Sequence, residues 1–184
     1  MIETFTKAAE IYEKAKEISS SFNPDKRIEK GDILSNPLTE EYNPDKKIEK
    51  SEYEIVAIHG VTGIPFIEKT VKNPDTGEIY CQRFPVFKSE FDAYLPEDLY
   101  KAKDRYQFAE CNRQLKAAIN ENPSMAKQFD ADQLDQIKKG ETPDGFTWHH
   151  NEDDGKIQLV DSYIHAKTGH VGGKKFWGGG NANR

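Results

Sequence analysis

Gly145-Phe-Thr-Trp-His-His150 opens the stretch that decides how this chain is built. It continues through Asn151-Glu-Asp-Asp-Gly155, Lys156-Ile-Gln-Leu-Val160, Asp161-Ser-Tyr-Ile-His165 and Thr168-Gly-His170-Val-Gly-Gly173. Residues 146–149 alternate apolar and polar side chains as a half-buried strand does. Asp154-Gly155 is a hairpin-turn signal, and residues 156–160 alternate again. Asp161 is placed to cap a short helix over 162–168, which Gly169 would end. The stretch therefore predicts a ββα unit of two strands and a helix, and four of the chain's five histidines fall within it.

Adjacent residues on a strand point to opposite faces, so His149 and His150 do not readily grip one ion together. The spacing favours a division of labour. One of the two imidazoles binds a divalent metal with His165, and the other takes a proton from water. Imidazole suits both tasks because its ordinary pKa lies near ~6.5, and a positioned base contributes roughly 10²- to 10⁴-fold in rate. A metal with open positions can hold a phosphate oxygen and stabilise a leaving alkoxide. No protein nucleophile is required, and the set suits hydrolysis of a phosphodiester.

Gly145-Phe-Thr-Trp-His-His150, Gln158-Leu-Val160, His165, His170-Val-Gly-Gly173 and Phe176-Trp-Gly-Gly-Gly180 together resemble the HNH/endonuclease VII superfamily. Within it they are most similar to the Trp-His-His group of bacterial polymorphic toxins. The resemblance implies a ββα-metal (His-Me finger) unit in which His149 and His165 are metal ligands and His150 is the general base. It makes His170 a third ligand or a phosphate contact. Gln158 stands where the family's central Asn orders the loop, and His170 follows His165 by five positions rather than the four that share a helix face. The implied cofactor is one divalent ion: Mg2+, Zn2+ or Ni2+. The implied substrate is DNA, since relatives insert this unit at a duplex minor groove, with RNA as the alternative. The implied partner is an immunity protein.

Other readings compete with this one. His149, His165, His170 and an acid could form a structural zinc site in a noncatalytic binding module, but such sites usually recruit closely spaced cysteines, and Cys81 and Cys111 are isolated. Glu152, Asp153 and Asp154 could bind a hard cation, but a run of this kind in a hairpin reads as solvated turn. Trp148 faces with His150 and reads as packing, and His59 as an ordinary structural histidine.

The chain has 184 residues, 32% charged and 35% hydrophobic, with a formal net charge of −6. That balance argues against a protein that coats nucleic acid over its whole surface. The carboxyl-terminal part differs: residues 156–184 carry five Lys/Arg against one acid. Lys167, Lys174 and Lys175 are candidate phosphate contacts there, and Trp177 is a candidate for stacking on a base. No signal peptide is visible, and no run approaches the ~20 apolar residues of a membrane span. The resemblance implies a toxin secreted or delivered into the target-cell cytoplasm.

Residues 4–20 read as an amphipathic helix. Phe22-Asn-Pro-Asp-Lys-Arg-Ile-Glu-Lys30 returns as Tyr42-Asn-Pro-Asp-Lys-Lys-Ile-Glu-Lys50, a linker-like near-repeat. Residues 1–52 are thus expected to form an N-terminal helix and pretoxin-like linker, and 53–184 the nuclease toxin domain with its core at 145–173. Strands are expected at 53–58, 65–71 and 78–82, followed by Phe84-Pro-Val-Phe87. A helix is expected from just beyond Leu95-Pro-Glu-Asp98 to about Asn120, with Leu99, Ala102, Tyr106 and Ala109 on one stripe, joined by Phe108, Cys111, Leu115 and Ala118. Arg105, Arg113 and Lys116 on it read as solvated charges. Asp130 with Gln133 forms a capping box for a further short helix that Gly140 ends. The fold class is α+β: a small antiparallel sheet and bracing helices around a C-terminal ββα-metal unit. No helix shows a base-reading set, so cutting is expected to be nonspecific.

Overall fold

The computed structural model describes residues 54–73 and 76–183. The expected N-terminal helix, the near-repeat and the proposed boundary at residue 52 lie outside them. Among the described residues, two antiparallel three-stranded sheets and three α-helices form an α+β architecture. The first sheet is β1 (Ile55–Ile58), β2 (Pro65–Lys72) and β3 (Ile79–Pro85), in that order. The second is built on the hairpin of β5 (Phe146–His150) and β6 (Lys156–Asp161). A third strand, β4 (Phe91–Tyr94), lies along the free edge of β6, giving the order β4-β6-β5. β4 was not expected from sequence, because Phe91-Asp-Ala-Tyr94 is too short to establish a period.

Local chemistry explains the elements flanking this hairpin. Gly155 turns it with φ +71°, where a side chain would be strained. Asp161 accepts from the Ile164 N–H at 2.7 Å and so starts α3 (Ser162–Lys167). Gly169 does not end that helix. Thr168 does, in an extended conformation (φ −96°, ψ 97°), with its hydroxyl donating back to the Ile164 carbonyl at 2.8 Å. The long helix α1 (Asp104–Glu121) begins later than expected, because Leu99 belongs to a 3₁₀ turn ahead of it. Tyr106 and Ala109 consequently face solvent, and the inward face is Gln107, Cys111, Asn112 and Leu115. The helix α2 (Ala131–Lys139) has the expected Asp130/Gln133 capping box and ends at Gly140.

The hairpin sheet separates two apolar clusters. On one side Trp148, Ile157 and Leu159 pack with Ala93, Cys111, Leu115 and Ile137, burying the inner faces of α1 and α2. The Trp148 indole donates to Asn112 Oδ1 at 2.8 Å. On the other side Val160 packs with Ile64 and Phe87. Lys69 of β2 ties the first sheet to the hairpin turn, at 3.1 Å from Glu152 and 2.6 Å from Asp153. Burial works against its charge, yet those carboxylates raise its pKa above the usual value. Glu152 is itself buried (7% exposed), so the solvated-turn reading fails for that residue: it is a partner of Lys69.

The segment after α3 packs against the end of the hairpin. The Trp177 indole donates to the Asn151 carbonyl at 2.9 Å. A Cβ on Gly173 would stand 1.7 Å from that same oxygen, which is backbone and cannot yield. Gly173→Ala is therefore expected to destabilise the fold by about 3 kcal/mol, the upper range for overpacking, read as a lower urea midpoint.

Candidate metal centre

His149 leaves β5 on the face opposite His150, because alternate residues of a strand diverge. In register His149 lies across from Gln158, and His150 across from Ile157. His165 comes from the last turn of α3 and His170 from the chain just beyond it. The break at Thr168 carries His170 back toward β5. His149 Nδ1 stands 3.3 Å from His165 Nε2 and 3.3 Å from His170 Nε2. The three donor nitrogens all lie within 4.8 Å of one another.

This cluster fits a cation better than it fits protons. His170 Nδ1 donates to the Thr168 carbonyl at 2.6 Å, which leaves Nε2 as a lone pair facing the cluster. His149 Nδ1 takes part in both close contacts, and one proton there can satisfy only one of them well. Nitrogens bound tetrahedrally at ~2.0–2.1 Å would be separated by roughly 3.3–3.4 Å, which matches the two observed contacts. Burial is the first cause of depressed basicity in all three rings, and for His149 and His165 the neighbouring imidazoles add to it. His149 lies well below the usual value, and His165 is lowered to about 4. His170 is lowered too, although the Thr168 carbonyl pulls it the other way. Near neutrality the rings are uncharged, the state in which imidazole binds metal. Phe87, 2% exposed, packs its ring 4.9 Å from His149, 5.4 Å from His165 and 5.3 Å from His170, and so keeps that side dry.

His150 turns away from the three. Its Nε2 lies 2.8 Å from Gln107 Oε1 of α1, and its ring packs beside Phe108 and Trp177. All four histidines nevertheless line one open cleft of about 590 Å³, together with Lys174 and Lys175. Gln158 is 5% exposed; it accepts from Asn151 Nδ2 at 3.1 Å and donates to Asp92 Oδ1 at 3.1 Å. It braces the hairpin and β4 across from His149.

A family model described as the DNase/tRNase domain of colicin-like bacteriocin matches residues 77–172. The chain belongs to that family. Its activity is accordingly that of a nuclease toxin, a hydrolase acting on nucleic acid, and the matched stretch holds all four histidines that line the cleft. No curated protein and no solved structure matches the chain. Among the described residues, no helix is long and apolar enough to cross a membrane.

Two of the four expected nucleic-acid contacts are buried. Trp177 is 1% exposed, packed edge-on with Tyr100 and bonded to Asn151, so it is not open to a base. Lys174 is 4% exposed, ion-paired to Asp104 and bonded to Gln107 Oε1 at 3.1 Å. Lys156 likewise pairs with Asp92 at 3.0 Å. Lys167 and Lys175 remain exposed. Arg113 pairs with Glu110, and Lys116 donates to the Lys138 carbonyl. His59 accepts from the Thr62 N–H within its own turn and is not one of the three converging rings. Cys81 and Cys111 are free thiols. Gln107, Asp104 and Asn112 had no sequence signal, because polar residues on a long helix ordinarily read as its solvated face.

The depressed His165 has a consequence for stability. Its pKa is about 4 in the folded chain against ~6.5 when unfolded, so the unfolded state binds more protons between those values. The ion-free protein should therefore hold its full stability above about pH 6.5 and lose it progressively as pH falls toward 4. Urea unfolding across that range checks the sign.

Proposed function

We propose that this domain is a metal-dependent endonuclease of the HNH/endonuclease VII type, close to the Trp-His-His toxins. His149, His165 and His170 hold one divalent cation, and His150 is the general base. The observation that carries the reading is three converging imidazole nitrogens within 4.8 Å, beside a fourth imidazole on the opposite face of the same strand and in the same cleft. When bound, the ion would supply a Lewis acid for a phosphate oxygen and for the leaving alkoxide. An all-nitrogen donor set favours Zn2+ or Ni2+ over Mg2+, which prefers oxygen.

The chain's own residues supply the rest. His150 takes the proton from the attacking water. Lys175 at the cleft and the exposed Lys167 neutralise phosphates, and Gln158 keeps the hairpin that carries His149 in register. DNA is the favoured substrate and RNA the second reading, since the matched family is described as both DNase and tRNase. Cutting is nonspecific, because among the described residues no exposed helix face presents a base-reading set. An immunity protein is the proposed partner in the producing cell, and the target cell's cytoplasm the site of action. Residues 1–52 serve as a pretoxin-like region ahead of the nuclease domain at 53–184.

Purified protein assayed on plasmid and on tRNA, with and without EDTA, tests this directly. EDTA is expected to stop cleavage. His150→Ala should lower the rate roughly 10²- to 10⁴-fold with metal content unchanged, whereas His149→Ala and His165→Ala should lose the metal. A noncatalytic zinc module predicts the opposite: no cleavage at all, and a domain that EDTA unfolds.

A further inference from the structure

Gln107 takes no part in the chemistry above, yet it is 0% exposed, the lowest value among the buried polar side chains described. It lies behind the cleft wall and against His150. A buried amide is oriented by partners whose roles are fixed. Gln107 Nε2 stands 2.8 Å from the Leu99 carbonyl oxygen and 2.7 Å from that of Tyr100. Carbonyl oxygens only accept, so both amide N–H bonds are committed there. Oε1 is then the atom that faces His150 Nε2 at 2.8 Å and Lys174 Nζ at 3.1 Å. Lys174, held by its ion pair to Asp104, donates into the same oxygen and opposes a flip of the amide.

An oxygen acceptor against an imidazole nitrogen requires that nitrogen to carry the hydrogen. His150 is thereby the Nε2–H tautomer, with its lone pair on Nδ1. We infer that Gln107 is a positioning residue for the nuclease reaction: it fixes the tautomer and ring orientation of His150 so that Nδ1 is the atom that takes the proton from water. This rests on His150 being the general base. It also gives Lys174 a role different from the phosphate contact expected of it, since its ammonium holds the amide oxygen that holds the ring.

The full chain with ¹⁵N-labelled histidine, above the pH range in which imidazole titrates and with and without Zn2+, provides the test. The ring spectrum of the wild type should show His150, assigned by its loss in His150→Ala, as Nε2–H with a signal protected from exchange. Gln107→Leu, close in size, removes the acceptor. That ring signal should then be lost to exchange, and kcat on plasmid should fall roughly 10- to 100-fold, the usual cost of removing an outer-shell partner, with KM and metal content little changed. A wild-type His150 protonated at Nδ1 overturns the inference, and that spectrum needs no variant to fold. So does a Gln107→Leu protein that keeps both its ring signal and its kcat. If His150→Ala still cleaves, the base reading fails and this inference with it. If His150→Ala is inactive while Gln107→Leu is as fast as wild type, only the role of Gln107 falls.

Discussion

Successive side chains on an extended strand leave it on opposite sides, and at His149 and His150 that rule separates two imidazoles that sequence places next to each other. The separation has energetic support on both faces. His149 enters a dry pocket walled by Phe87, where burial keeps its ring uncharged. His150 enters the helix-side layer, where the amide of Gln107 receives it. A slip of one residue in the pairing of β5 with β6 would exchange the two faces and put neither ring among its partners. The register is secured at several points: Trp148 is anchored on Asn112, Glu152 and Asp153 on Lys69, and the Asn151 carbonyl under Trp177.

Much of this was legible in the residues. The hairpin, its turn at Asp154-Gly155, the Asp161 cap and the capping box on α2 each depend on contacts within a few positions, so local sequence suffices to place them. The convergence of His149 and His165 was legible for a related reason: strand, cap and helix follow one another with no slack between them. His170 was harder, since its placement depends on Thr168 rather than Gly169 closing the helix. A hydroxyl that bonds back to its own helix has no distinct mark in sequence.

What sequence hid were the polar and aromatic residues whose partners lie far along the chain. Lys174 and Trp177 read as a basic, aromatic tail because nothing nearby betrays Asp104, about seventy positions earlier, or the carbonyl of Asn151. Glu152 read as solvent-facing because Lys69 belongs to another sheet. β4 was invisible as a strand because its pairing with β6, rather than its own pattern, makes it one. The same remoteness explains Gln107. Its value lies in what three other segments bring against it: the turn at Leu99 and Tyr100 just ahead of the helix, the remote strand end at His150, and the remote Lys174.

Phe87 carries one more implication. Its ring seals the histidine cluster from behind, and the cleft opens in front. On the proposed reading, a cation seated between His149, His165 and His170 would share its doorway with the polynucleotide. Loading would then precede docking, and a strand lying across the mouth would bar the ion from leaving. Exchange of metal with the surroundings would then stall for as long as the polymer stays in place.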